Sequence, residues 1–170
     1  MVITVREMDV FPDSYYQEGI SVITLPDVRW ALCNVKSVNL LPNILAKQKA
    51  KEEGALEGIF VKDGKITEGA GSNIFYLRGD RLATPPEGNR ILSGVTRKAL
   101  MDLAKSRGLE VWEEEVELES LYSADEVLLT ATSMEILPVV RVDQKVIGSG
   151  NPGPIYKKLY QSFLSLVSGQ

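Results

Sequence analysis

The sequence predicts a mixed α and β fold whose sheet is not wholly parallel, and three observations predict it. Short runs rich in β-branched and aromatic residues recur along the 170 residues, bounded by Gly, Pro, Asn and Asp. Segments with helical spacing of apolar residues interleave with them. Tight turn signals such as Asp63–Gly64 join neighbouring runs as hairpins, which pair antiparallel.

Taken in order, Val2–Val5 and Ile20–Leu25 read as β-like runs around a turn-rich centre with Pro12, Asp13 and Gly19. Val28–Asn39 reads as extended because it is dense in β-branched and aromatic side chains. Pro42 opens a helix over Asn43–Glu53, which Gly54 ends. Leu56–Lys62, Ile66–Thr67, Ile74–Leu77 and Leu82–Thr84 are strands, followed by a Pro- and Gly-containing loop and the short run Ile91–Leu92. Ser93–Gly94 precede a helix over Val95–Arg107, whose Ala99, Leu100, Leu103 and Ala104 fall on one face. Leu109–Val116 returns as a strand, Leu118–Ala124 as a short helix and Glu126–Thr130 as a buried strand. Ile136–Val142, a turn at Asp143–Gln144 and Lys145–Ile147 then lead to a last helix, Ile155–Val167.

Composition removes several kinds of chemistry. A net charge of −4 supplies no basic excess for neutralising phosphates, so nucleic acid is not an expected partner. No apolar run reaches the ~18 residues of a membrane span, the N-terminus lacks a signal pattern, and one cysteine, Cys33, suits a reducing compartment. A soluble, cytoplasmic protein is expected. There is no histidine, which excludes Ser–His and Cys–His nucleophilic pairs within the chain. His-ligated metal is excluded too, and one cysteine cannot form a thiolate cage, so no metal site is expected. Any enzymatic chemistry must rest on carboxylates, lysine or an organic cofactor.

Four places answer that description, each with an ordinary structural counterpart. Lys36 lies in the apolar stretch WALCNVKSVNLL, where desolvation would disfavour its charge as a Schiff-base lysine requires; the counterpart is a strand lysine facing water. Glu68 lies in TEGAGSN, where glycines let a planar ligand approach the backbone and a carboxylate could hold a pyridine nitrogen protonated. Ser72 and Asn73 add polar groups there; the counterpart is a surface hairpin loop. Ser93–Thr96 place a glycine ahead of a helix, so the N–H groups of Val95 and Thr96 and the Thr96 hydroxyl make an anion site; an ordinary helix start looks the same. Thr130–Ser133 follow a buried strand, where hydroxyls are presented to ligands or simply bond their own turn.

In sequence order these segments resemble fold-type IV pyridoxal-phosphate enzymes of the D-alanine and branched-chain aminotransferase group from about Pro26 onward. The carriers are VRWALCNVKSVNLL, TEGAGSN, LSGVTR and ATSMEILPVV. The resemblance implies an α+β fold, with a mixed or antiparallel sheet or pseudo-barrel and flanking helices, as in the large domain of those enzymes. It implies pyridoxal 5′-phosphate as cofactor, with Lys36 as Schiff-base lysine and proton shuttle and Glu68 on the pyridine nitrogen. Ser72 and Asn73 would stand beside the ring. Val95, Thr96 and Thr132 would hold the phosphate, and Thr132–Ser133 would meet the substrate carboxylate.

The implied activity is transamination between an amino acid and a 2-oxo acid such as 2-oxoglutarate, with D-amino acids ranked ahead of branched-chain L-amino acids. An aminodeoxychorismate lyase of the same fold and a non-catalytic binding or assembly module are the alternatives. Family members carry a further domain of about a hundred residues ahead of this region and work as homodimers. Residues 1–25 are therefore expected to be a remnant between domains and 26–170 the cofactor-binding large domain, with weak cofactor binding and little activity by itself.

Overall fold

The structure, a computed structural model, describes residues 3–5 and 11–169. A five-residue helix, α1 (Asp13–Gln17), leads into β1 (Ile20–Pro26), and after a long loop comes α2 (Leu41–Glu52). Four strands follow: β2 (Glu57–Lys62), β3 (Lys65–Gly69), β4 (Asn73–Arg78) and β5 (Arg81–Thr84). Then come α3 (Val95–Ser106), β6 (Glu110–Glu113), β7 (Val116–Glu117), α4 (Leu118–Tyr122), β8 (Glu126–Ala131), β9 (Glu135–Val142), β10 (Lys145–Val146) and α5 (Pro154–Ser168).

The strands form one sheet in the order β6-β5-β4-β8-β9-β1-β2-β3-β7, with β10 paired to β9. β1 runs parallel to both β2 and β9, and β5 parallel to β6; the other pairs are antiparallel. The mixed sheet is therefore as expected. It curls, because β3 and β4 stand apart in the pairing order yet are joined by a tight loop in which Gly69 N–H donates to Ser72 O at 2.7 Å. One side of the curl is a single apolar cluster drawn from eight strands. Val22, Ile59, Ile66, Ile74, Leu129 and Leu137 all contribute to it.

Side-chain alternation then dictates the outer layer. On β4, Ile74 and Tyr76 point into the curl, while Phe75 and Leu77 point out. The outer residues meet Leu100, Met101 and Ala104 of α3 and Tyr156, Leu159 and Phe163 of α5. Helix α2 covers a separate patch, setting Ala46 against Phe60 and Ala70. Local chemistry marks the boundaries. Asp63 and Gly64, with φ of 53° and 78°, build the turn between β2 and β3 that needs positive φ at both positions. The first N–H groups of α5 are capped from another strand: Glu126 accepts from Ile155 N–H at 2.9 Å and Tyr156 N–H at 2.8 Å.

Several expectations need correcting. Val28–Asn39 is not a strand but an irregular loop, and β1, the strand it follows, already has β2 and β9 on its two sides. Its start folds back instead, with Arg29 bound to Asp27 and Cys33 N–H donating to Asn89 O at 2.6 Å. Leu109–Val116 divides into β6 and β7, which pair with opposite ends of the sheet. Ile91 makes only an isolated bridge to Gly88. The helix α1 was not foreseen. Of the first β-like run, residues 3–5 have no regular structure and Val2 lies outside the described residues. The division ahead of Pro26 falls inside β1, an interior strand of the sheet.

Candidate functional site

A cavity of about 630 Å³ opens where the loop 27–40, the β3–β4 loop, the start of α3 and the end of β8 converge. Lys36, Glu68, Ser72, Asn73, Val95 and Thr132 all line it. Thr96 does not; it is buried in the first turn of α3, one residue behind Val95. Ser133 turns away into a second cleft, between α1 and α5, which it shares with Thr132. Lys36 sits on the loop and is exposed, so the desolvated strand lysine expected from its apolar neighbours is not what the fold builds. Those neighbours are exposed as well: Val28, Trp30, Val35, Val38, Leu41 and Ile44 stand in solvent along residues 28–45.

Glu68, next to last in β3, has only 6% of its surface exposed. Its Oε1 accepts from the Arg29 guanidinium at 2.5 Å, and its Oε2 from Leu92 N–H at 2.9 Å and Asn73 Nδ2 at 3.2 Å. A carboxylate has about four acceptor positions, so one remains for a ligand. Burial pushes the Glu68 carboxyl above its ordinary value, and the Arg29 guanidinium and Leu92 N–H oppose that without reversing it.

Asn73, the first residue of β4, also donates to Leu92 O at 2.9 Å and so ties the sheet to the turn before α3. That turn passes so close that a Cβ on residue 94 would collide with Asn73 Oδ1, which is why glycine stands there. Gly94 is the N-cap of α3, and no side chain caps the helix start. The first N–H groups of α3 have no intrahelical acceptor and lie beside the cavity at the positive end of the helix dipole. Thr130 completes the wall, its hydroxyl buried without a hydrogen-bond partner among the described residues.

Three charged groups here escaped the sequence. Arg29 lies between Asp27 and Glu68, donating through Nε to Asp27 Oδ1 at 2.9 Å and through Nη2 to Asp27 Oδ2 at 2.8 Å. It also lies over the Phe60 ring at 4.4 Å. Burial alone would raise the Asp27 carboxyl, but the Arg29 guanidinium outweighs it and holds the group below its ordinary value. An Asp-x-Arg triplet at the end of an apolar strand was the available signal.

Glu57 was hidden inside a predicted strand. It is 1% exposed and supports the β3–β4 loop by accepting from the Ser72 hydroxyl at 3.4 Å, with Lys47 Nζ at 3.8 Å. Burial pushes its carboxyl up, against Lys47 and the N–H groups of Gly58 and Gly71. A carboxyl raised by folding contributes stability below its unfolded value, and that contribution is lost as pH climbs through the folded one. The melting temperature of Glu57→Gln relative to the unsubstituted chain is therefore expected to rise with pH from about 4.5 upward, then level off. Calorimetry across that range checks it, and a flat or falling difference contradicts it.

Residues 1–142 match the amino-transferase class IV family. The D-alanine aminotransferase of Bacillus licheniformis is 42% identical over 148 residues, covering 87% of this chain and 52% of that protein. That of Listeria monocytogenes is 40% identical over 153 residues, covering 90% and 53%. Among solved structures, Escherichia coli branched-chain amino acid aminotransferase superposes with a TM-score of 0.84 at 36% identity, covering 91% of this chain and 53% of that one. The Thermobaculum terrenum branched-chain aminotransferase in its PLP form gives 0.86 at 29% identity, covering 94% and 54%. The chain spans about half the length of the curated relatives it matches. With the fold, the cavity and the matched residues in agreement, the chain belongs to the amino-transferase class IV family.

Proposed function

We propose that this chain forms the cofactor-holding part of a pyridoxal-phosphate-dependent aminotransferase, which passes an amino group between an amino acid and a 2-oxo acid. The observation that carries the reading is one cavity lined by a lysine amine, a buried carboxylate with an open acceptor position and an uncapped helix start. That donor set suits pyridoxal 5′-phosphate, which has an aldehyde, a basic ring nitrogen and a phosphate dianion. When bound, the cofactor supplies the aldehyde that takes up amines and the ring that draws electron density from the substrate.

The chain's own groups divide the work. The Lys36 amine would hold the cofactor through its aldehyde and, when free, would serve as the base that takes the proton from the substrate α-carbon and returns it. Glu68 holds a proton on the ring nitrogen, in the position left open by Arg29, Leu92 and Asn73. The N–H groups of Val95 and Thr96 at the helix start, with the hydroxyl of Thr132, would bind the phosphate. Ser72 and Asn73 would stand beside the ring, and the backbone N–H groups of the turn Thr132–Ser133, not the Ser133 side chain, would meet the substrate carboxylate. The sequence relatives carry the name D-alanine aminotransferase and the structural neighbours that of branched-chain aminotransferase. D-amino acids are proposed first, with branched-chain amino acids as the second reading.

No helix among the described residues is long and apolar enough to cross a membrane. With its single cysteine, that supports a cytoplasmic setting. The exposed apolar residues of 28–45 support closure of the site within a homodimer.

Borohydride reduction of the chain in excess pyridoxal phosphate, followed by peptide mapping, tests the reading. A phosphopyridoxyl group on Lys36 is expected; an unmodified Lys36, with label scattered over surface lysines, overturns it.

A further inference from the structure

The charge balance around Glu68 carries an inference that rests on the reading above and deepens it. Arg29 nearly cancels the charge of Glu68, since its guanidinium reaches Oε1 at 2.5 Å. A neutral pair facing the cavity would do little to favour a proton on a ring nitrogen. Asp27 changes that sum. It grips Arg29 side-on through both oxygens, is itself 9% exposed, and accepts a further bond from the Thr67 hydroxyl at 2.9 Å. With Asp27 present, the cluster Asp27–Arg29–Glu68 carries a net charge of minus one.

The same grip fixes geometry. Arg29 Nε and Nη2 are committed to Asp27, Thr67 and Arg90 O, which leaves Nη1 for Glu68. The Glu68 carboxylate is thereby pinned with its remaining acceptor position open.

We propose that Asp27 is a positioning residue for the cofactor: through Arg29 it fixes the orientation of Glu68, and it restores the negative charge that keeps the ring nitrogen protonated. The other ionisable groups around the cluster are Cys33 and Lys36 on the loop, Lys47 on α2, Glu57 on β2 and Arg90 ahead of α3. All of them remain unchanged in the variants below.

The test uses the chain with pyridoxal phosphate labelled at the ring nitrogen and reduced onto it with borohydride, so that loading does not depend on affinity. Ring-nitrogen protonation is followed by nitrogen NMR against pH. Asp27→Asn leaves Arg29 facing Glu68 and brings the cluster to zero. Arg29→Gln leaves two carboxylates and brings it to minus two. The midpoint is expected to fall by about one pH unit in the first and to rise by about as much in the second. Both substitutions break the same salt bridge, so loosening alone moves both midpoints the same way.

Opposite shifts support the proposal. Midpoints that move together, or not at all, overturn it; should Asp27→Asn or Arg29→Gln fail to fold, Asp27→Ser or Arg29→Met, which carry the same charge changes, takes its place in the comparison. Failure of the unsubstituted chain to take the label on Lys36 is a different result. It removes the cofactor reading itself, and this proposal with it.

Discussion

Lys36→Met is expected to abolish reductive attachment of pyridoxal phosphate within the cavity, reducing the mapped label from about one equivalent to background. The effect is all-or-none because the bond needs an amine and methionine has none, while its volume and flexibility are close to those of lysine. Stability should change little, since Lys36 is exposed on an irregular loop and takes part in no ion pair among the described residues. The cavity supplies its own internal comparison. Lys47 lines the same walls, but its amine sits 3.8 Å from the buried Glu57 carboxylate. Mapping after reduction should therefore find Lys47 unmodified in both proteins. Label that persists in Lys36→Met, or that moves wholly to Lys47, would contradict the role given to Lys36.

The second large effect is expected in the apolar layer outside the sheet. Phe75→Ala should destabilise the chain by about 3–5 kcal/mol, the range for removing a buried aromatic side chain. The melting temperature should fall on the order of ten degrees in a domain of this size. Phe75 is 1% exposed and lies where the outer face of β4 meets α3 and α5. Sheet strands and the helices α3 and α5 surround the site, so little collapse into the cavity is available to soften the loss. The damage should also reach the cofactor site. β4 starts at Asn73 and α3 at Val95, and the packing of Phe75 holds those two starts in register. Phosphate affinity, read by competition with the cofactor, should weaken in parallel with stability. A change under 1 kcal/mol would show that the α3–α5 layer contributes less than its burial indicates.

What could be read from the chain beforehand depended on how local the determining physics is. The hairpin at Asp63–Gly64 and the helices α2, α3 and α5 were legible because turn residues, proline at a helix start and apolar spacing act within a few residues. The loop 27–40 was misread for the complementary reason. Its β-branched composition predicts a strand, but a strand needs an edge, and β1 already has β2 and β9 on its two sides. The site residues brought to one cavity were those carried by recurring motifs. Asp27, Arg29 and Glu57 were missed because their meaning arises only from partners 39 and 40 positions away in two cases or from a burial that strand periodicity does not reveal. Ser133 and Thr96 show a finer limit: one step along a turn or a helix decides which side of the wall a side chain faces.

The insertion of β1 between β9 and β2 bears on how the chain reaches this state. Ile20 pairs with Val139, so one edge of β1 stays unpaired until β9 has been synthesised. Assembly that waits on so distant a partner is slow, and the waiting strand is open to misassociation. Early fragments ending before Glu135 should be the species that chaperones capture during synthesis.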